Sequence, residues 1–240
     1  MSRQTQQYYD MLYKAQGKDY GAESEELARL IKAHHARAKT ILDVGCGTGT
    51  HARILRDQFN LEVDGVDIDQ DMIAIARAKI PEGTFDVGDM SDFDTGQRYD
   101  VIVSMFSAIG YVQTLENVTK ALKCFREHIK DDGIVIVEPW LTPEVFKNRS
   151  INMDTASEGD TRVARMSRVE VEGRLSHILF HWTVANPDEI ITIDEKLTLG
   201  LFSVDEMKAC FEEAGFEVTH DRAEGQFSNR GLYIAKPAPF

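Results

Sequence analysis

The stretch TILDVGCGTGTH, Thr40 to His51, restricts the fold more than any other part of this chain. An apolar run enters Asp43, three glycines follow at alternate positions, and THARILRDQ then has helical character. A strand that breaks on glycines and continues as a helix is half of a βαβ unit. The same alternation continues downstream. EVDGVD reads as a strand and DQDMIAIARAKI as a helix, followed by strands near 84–87 and 100–104, a helix over 116–130 and the strand GIVIVEP. FSVDEMKACFEEAGF is a helix with a capping-box pattern, Ser203 with Glu206, and Gly215 as its stop. EVTHDRA and RGLYIAK supply two final strands. The predicted fold is α/β, a doubly wound, mostly parallel seven-stranded sheet covered on both faces.

Two segments fall outside this alternation. Helices are predicted over 6–16 and 22–36, the second with an apolar stripe at Leu27, Leu30 and Ile31. Between 149 and 200, the runs TRVARMSRVEV, RLSHILFHWTVA and ITIDEKLTL alternate apolar and polar at period two, with turns at Glu172-Gly173 and Asn186-Pro187. They predict an antiparallel β insertion in a core made of 1–148 and 201–240.

Composition narrows the function classes. A chain of 240 residues, 42% hydrophobic, can bury a full core. No run of 18 apolar residues offers a membrane helix, and MSRQTQQYYDMLYKAQ has no secretion-signal core. Cys46, Cys124 and Cys210 are scattered without CxxC spacing, which argues for reduced thiols in a cytoplasmic protein and against a structural zinc site. A net charge of −13 disfavours nucleic acid, whose phosphates need Lys and Arg. The expected partner is a small molecule, and a homodimer is the assembly considered.

The glycine turn suggests the ligand. Its spacing is G-x-G-x-G, with Thr50 at the third position of a dinucleotide turn, and Asp43 is poorly placed for a pyrophosphate. A carboxylate there suits a cationic amino group. Asp67, closing the next strand, suits ribose hydroxyls. Gly88–Met90 closes the third strand, where Asp89 and Met90 could hold an adenine edge and face.

LDVGCGTG, GVDID and GDM, in this order and spacing over residues 40–90, resemble the class I S-adenosylmethionine-dependent methyltransferases. The resemblance implies S-adenosylmethionine as cofactor. It places Asp43 and Gly45 near the methionine portion, Asp67 at the ribose, and Asp89 and Met90 at the adenine, with Gly47 and Ile68 as further cofactor-binding residues. The N-terminal helix of such folds closes over the cofactor, so Tyr13 and Tyr20 are expected beside it, with core packing as the alternative for both.

A narrower resemblance covers most of the chain. YDMLYKAQGKDY, MFSAIGYV, VEPW, ARMS, HWTVA, LGLFSVDEMKACFEEAGF and SNRGLYI are similar to the N-methyltransferases of nucleotide-linked 3-amino-deoxysugars. It implies methyl transfer to a sugar amine. Arg165, Ser167 and Arg230 would then face the acceptor's pyrophosphate, since an arginine fork suits phosphate oxygens; a solvated sheet face is the alternative for the arginines. Tyr9, Trp140 and His181 are further candidates for the acceptor surface. His177 and His181, four apart on a strand, do not converge on a metal. In SMFSAIGYV, Met105 and Phe106 would wall the adenine or methyl region, and Ser107 and Gly110 would leave room for the acceptor.

One departure concerns Tyr111, which stands where the amino-sugar enzymes carry histidine. Tyr111 is the candidate catalytic residue, though a phenol is a poor base at neutral pH. A different small-molecule N- or O-acceptor, a non-catalytic cofactor-binding protein and, more distantly, a dehydrogenase stay open as alternatives.

Overall fold

The computed structural model describes residues 3–222, 226–227 and 230–239, so Ser228 and Asn229 of the SNRG stretch lie outside the described residues. After helices α1 (Arg3–Ala15) and α2 (Tyr20–His34), strands and helices alternate. The series is β1 (Thr40–Val44), α3 (Thr50–Phe59), β2 (Glu62–Asp67), α4 (Gln70–Lys79), β3 (Phe85–Val87), β4 (Tyr99–Ser104), α5 (Leu115–His128) and β5 (Ile129–Val137). A 3-10 turn, Ala108–Val112, lies between β4 and α5.

Strands β6 (Ile151–Glu158), β7 (Thr161–Glu172), β8 (Leu175–Ala185) and β9 (Ile190–Gly200) follow, then α6 (Val204–Glu213), β10 (Phe216–Asp221) and β11 (Leu232–Pro237). Ser203 and Glu206 form the expected capping box at the start of α6.

The main sheet has seven strands in the order β10-β11-β5-β4-β1-β2-β3. β1 to β5 pair in parallel, and β11 is antiparallel to both of its neighbours. The strand order reverses at β1, which pairs with β2 on one side and β4 on the other. Open α/β sheets bind ligands at such a point, beyond the carboxyl ends of the strands.

The strands read as continuous apolar runs because both faces are buried. Alternate residues reach opposite faces: Leu42, Val44, Ile102 and Val135 pack with α5 and α6, while Ile41, Val101, Val103 and Ile134 pack with α2, α3 and α4.

β6 to β9 form a separate four-stranded antiparallel sheet. The alternation predicted three of its strands and missed β6. In β6 the polar residues Asn152 and Asp154 lie opposite Ser167 and Arg165, which are buried, while Ile151 and Met153 are 69% exposed. Its polarity is inverted because the inner face borders a cavity. The helix predicted to residue 130 ends at His128, where Ile129 begins to pair with Tyr99 of β4.

The two N-terminal helices join different layers. Leu27, Leu30 and Ile31 of α2 pack on the main sheet. Tyr9 and Leu12 of α1 instead pack on the inner face of the smaller sheet, with Phe180, Trp182, Val184 and Leu197.

Candidate functional site

One cavity of about 1560 Å³ opens beyond the carboxyl ends of β1, β2, β4 and β5 and under the smaller sheet. Local backbone conformation builds its floor. Gly45 has φ +77°, and a Cβ there would stand 2.5 Å from the Cβ of Ala108, so the turn after β1 is pressed against the 3-10 turn. Gly47 has φ +55° and faces open space. Its N–H donates to Asp67 Oδ2 at 2.8 Å, and the Asp69 N–H donates to Oδ1 at 2.9 Å. Burial pushes the Asp67 carboxyl pKa up, and those two N–H groups oppose the shift. Each oxygen keeps a lone pair for a further donor.

Asp43 is 3% exposed, and its carboxylate accepts no hydrogen bond among the described residues. Burial pushes its pKa up to about 6, with His51 opposing and Asp67 adding to the shift. A buried carboxylate without a donor is costly unless a cation meets it. An ammonium at this position satisfies that requirement.

Three further residues of the cavity escaped the sequence reading. His51 Nε2 lies 2.8 Å from Glu23 Oε2, and Lys18 Nζ lies 2.9 Å from Glu23 Oε1. Burial would raise the Glu23 carboxyl, but hydrogen bonds from His51 and Lys18 outweigh it and hold its pKa below the ordinary value. The Lys18 ammonium also stands 3.8 Å from the Phe106 ring centroid. The only hint in the sequence was a histidine immediately after the glycine turn, since Lys18 and Glu23 lie far from it along the chain.

The far half of the cavity is walled by aromatic rings and two arginines. Phe106 and Ser107 leave β4 with φ of 52° and 63°, two consecutive non-glycine residues in the left-handed region. Such residues cost on the order of 1–3 kcal/mol each and persist only where neighbours fix them. Glu138, at the end of β5, accepts the Phe106 N–H at 2.7 Å and the Arg230 Nη1–H at 2.5 Å. Arg230 lies 5.3 Å from the Trp140 ring centroid. Arg165, 5% exposed, donates to Asp154 at 2.9 Å and packs over Phe180, Trp182 and Tyr13. Its Nε and Nη1 have no acceptor among the described residues, nor has Arg230 Nε.

Every residue expected at the site lines this cavity except His181 and Gly110. His181 lies on the outer face of the smaller sheet, bonded to Asp194 at 2.7 Å. The even-numbered residues of β8, among them Phe180 and Trp182, face inward, so the pleat turns His181 away.

Two roles also change. The Ser107 hydroxyl donates to the Pro139 carbonyl at 2.8 Å. A Cβ at Gly110 would stand 3.1 Å from Leu199 and 3.2 Å from Trp140, so this glycine permits close packing rather than leaving space for an acceptor.

Tyr9 lines the cavity while its hydroxyl donates to Glu195 at 3.1 Å. Burial, then Tyr13, Glu195 and Asp67, push the Tyr111 pKa up, although 41% of its surface stays accessible. Tyr111 is therefore ionised at neutral pH even less than a free phenol, which leaves little phenolate to act as a base.

The donor set fits S-adenosylmethionine. Asp43 offers an unpartnered carboxylate for the ammonium, Asp67 offers free lone pairs for the ribose, Gly47 faces open space, and Ile68, Asp89 and Met90 border the same cavity.

A family described as a methyltransferase domain matches residues 15–221. The chain is 37% identical, over 96% of its length and 96% of the relative's, to dTDP-3-amino-3,4,6-trideoxy-alpha-D-glucopyranose N,N-dimethyltransferase of Streptomyces venezuelae. It is 38% identical to dTDP-3-amino-3,6-dideoxy-alpha-D-glucopyranose N,N-dimethyltransferase of Streptomyces fradiae, over 95% of this chain and 89% of that one. Among solved structures it is similar to S. venezuelae DesVI, with a TM-score of 0.91 and 36% identity over 97% of this chain and 98% of that one. It also resembles SAM-bound CalS10, an amino pentose methyltransferase from Micromonospora echinaspora, with a TM-score of 0.86 and 31% identity over 96% of both chains.

Proposed function

The chain belongs to the methyltransferase-domain family, and from that premise we propose that it methylates the amine of a nucleotide-linked amino sugar, with S-adenosylmethionine as donor. One observation carries the reading at the site. The cavity joins an acidic half, suited to the cofactor's ammonium and ribose, to an aromatic half holding two arginines with buried, unpartnered N–H groups.

When bound, the cofactor supplies a sulfonium methyl whose carbon an amine lone pair attacks in line, the carbon–sulfur bond breaking so that the thioether S-adenosylhomocysteine leaves. The chain's own residues mainly bind, orient and exclude water. Asp43 holds the ammonium, and Asp67 the ribose hydroxyls. Tyr13, Tyr20, Met105 and Phe106 enclose the cofactor. Trp140, Tyr9 and Phe106 give the amine an apolar approach whose desolvation favours its neutral form over its ammonium. Arg165, with Ser167, and Arg230 offer guanidinium N–H groups to a pyrophosphate. Tyr111 orients the amine through its hydroxyl and does not act as its base. In this proposal residues 149–200 form the acceptor pocket, and 1–148 with 201–240 hold the cofactor.

The test is methyl transfer from labelled S-adenosylmethionine to dTDP-linked 3- and 4-amino sugars, read by product mass. The expected result is a mass gain in methyl increments. No transfer, together with no calorimetric binding of these sugars in the presence of S-adenosylhomocysteine, would remove the sugar-amine reading. Tyr111 favours a second reading, another small N- or O-acceptor, and a screen of small amines and alcohols in the same assay separates the two.

The finer expectations about location and assembly belong here too. The three cysteines are free and buried, which supports a reducing, cytoplasmic setting. No helix among the described residues is long and apolar enough to cross a membrane. The outer face of the smaller sheet brings exposed Met153 opposite exposed Met166, with exposed Ile151 beside them. An apolar row of this kind supports a homodimer that covers it.

A further inference from the structure

The mechanism above leaves Glu138 without a task. It is a carboxylate 5% exposed, just past the end of strand β5, and it lines the cavity. Its two oxygens are used separately. Oε2 accepts the Phe106 N–H at 2.7 Å, and Oε1 accepts Arg230 Nη1–H at 2.5 Å. The next residue, Pro139, accepts the Ser107 hydroxyl at 2.8 Å. The end of β5 therefore fixes both left-handed residues of the turn, Phe106 and Ser107, and the arginine of the segment before β11.

Both groups that Glu138 holds shape the acceptor half. The Phe106 ring meets Tyr13 of α1 edge-on, with centroids 5.0 Å apart, and supports the Lys18 ammonium at 3.8 Å. Arg230 lies over Trp140, and its Nε is buried without a partner. A guanidinium is a rigid fork, so fixing Nη1 on Glu138 also sets where the other N–H groups lie. The ion pair also cancels the Glu138 charge, which would otherwise stand open in the half of the cavity where the amine has to be neutral.

We propose that Glu138 is a positioning residue for the acceptor: it holds the Phe106–Ser107 turn and the Arg230 guanidinium in one arrangement, so that removing its charge weakens acceptor use while leaving cofactor binding intact. This rests on the reading of the site as an amine methyltransferase.

The test compares wild type, Glu138→Gln, Arg230→Gln and the double variant. Glutamine keeps an oxygen for the Phe106 N–H but loses the ion pair. The expected result for Glu138→Gln is an acceptor KM raised at least tenfold, with the S-adenosylmethionine KM within about twofold of wild type. Arg230→Gln has a similar effect, and the double variant is no worse than about twofold beyond the poorer single one, because both substitutions break one pair. Equal rises in both KM values, no change in the acceptor KM, or effects that multiply would overturn the proposal.

Amide exchange at Phe106, measured with S-adenosylhomocysteine and no acceptor, supplies a readout independent of the substrate. Protection should persist in Glu138→Gln and fall at least tenfold in Glu138→Ala. If wild type methylates no amino sugar, the functional reading fails, and Phe106 exchange still judges Glu138: undiminished protection in Glu138→Ala refutes its hold on the turn. Should Glu138→Ala not fold, Arg230→Gln and Glu138→Gln carry the kinetic comparison.

Discussion

Asp43 is a carboxylate whose charge burial disfavours until a cation meets it. Its carboxyl is pushed up to about 6 from the ordinary 3.8 by burial. A raised carboxyl means that the native state binds more protons than the unfolded chain between those values. Stability of the unliganded protein therefore falls as pH rises through that window, by about 3 kcal/mol in all. Thermal melts from pH 4 to 7 should show this slope in wild type and lose most of it in Asp43→Asn. An ammonium beside Asp43 reverses the preference, so S-adenosylmethionine affinity should weaken as pH drops below about 6, and Asp43→Asn should flatten that dependence in calorimetry. Tyr111 makes an opposite prediction. Its pKa is pushed up, so it is no base at neutral pH. Tyr111→Phe should lower kcat less than about tenfold and leave the pH profile unmoved; a loss above about a hundredfold with a changed profile would restore it as a general base.

At the scale of elements, α1 belongs with the smaller sheet although it lies farthest from it in sequence. Trp182 is fully buried beneath it, with the Tyr9 ring at 5.1 Å. Trp182→Ala should remove about 3–5 kcal/mol from this layer. Amide exchange should accelerate across α1 and β8, while β1 and β4, which pack on other layers, keep their protection. The helical period of α1 was readable in the sequence, but the surface that receives its aromatic face was not. β6 shows the same limit from the other side. Period-two alternation finds a strand only when its apolar residues face inward, and β6 turns Asn152 and Asp154 toward the cavity instead.

For the whole molecule, the outer face of the smaller sheet is where the proposed homodimer would form. If it does, Met153→Glu with Met166→Glu should convert a dimer to a monomer in sedimentation, with little change in the exchange of β1 and β4. A wild-type monomer at micromolar concentration would end that proposal. The sequence by itself determined the alternation of strands and helices, the glycine turn, and the carboxylates Asp43, Asp67 and Asp89. These are legible because periodicity and turn chemistry act over a few residues, and because strand ends at a switch point are where α/β sheets hold ligands. Only the tertiary structure decided that Lys18 and Glu23 reach His51, that Glu138 ties Phe106 to Arg230, and that His181 faces away. Those contacts join residues as far as 92 positions apart, or turn on which side of a pleat a residue falls. Local sequence carries neither, because both follow from how separate layers pack on one another.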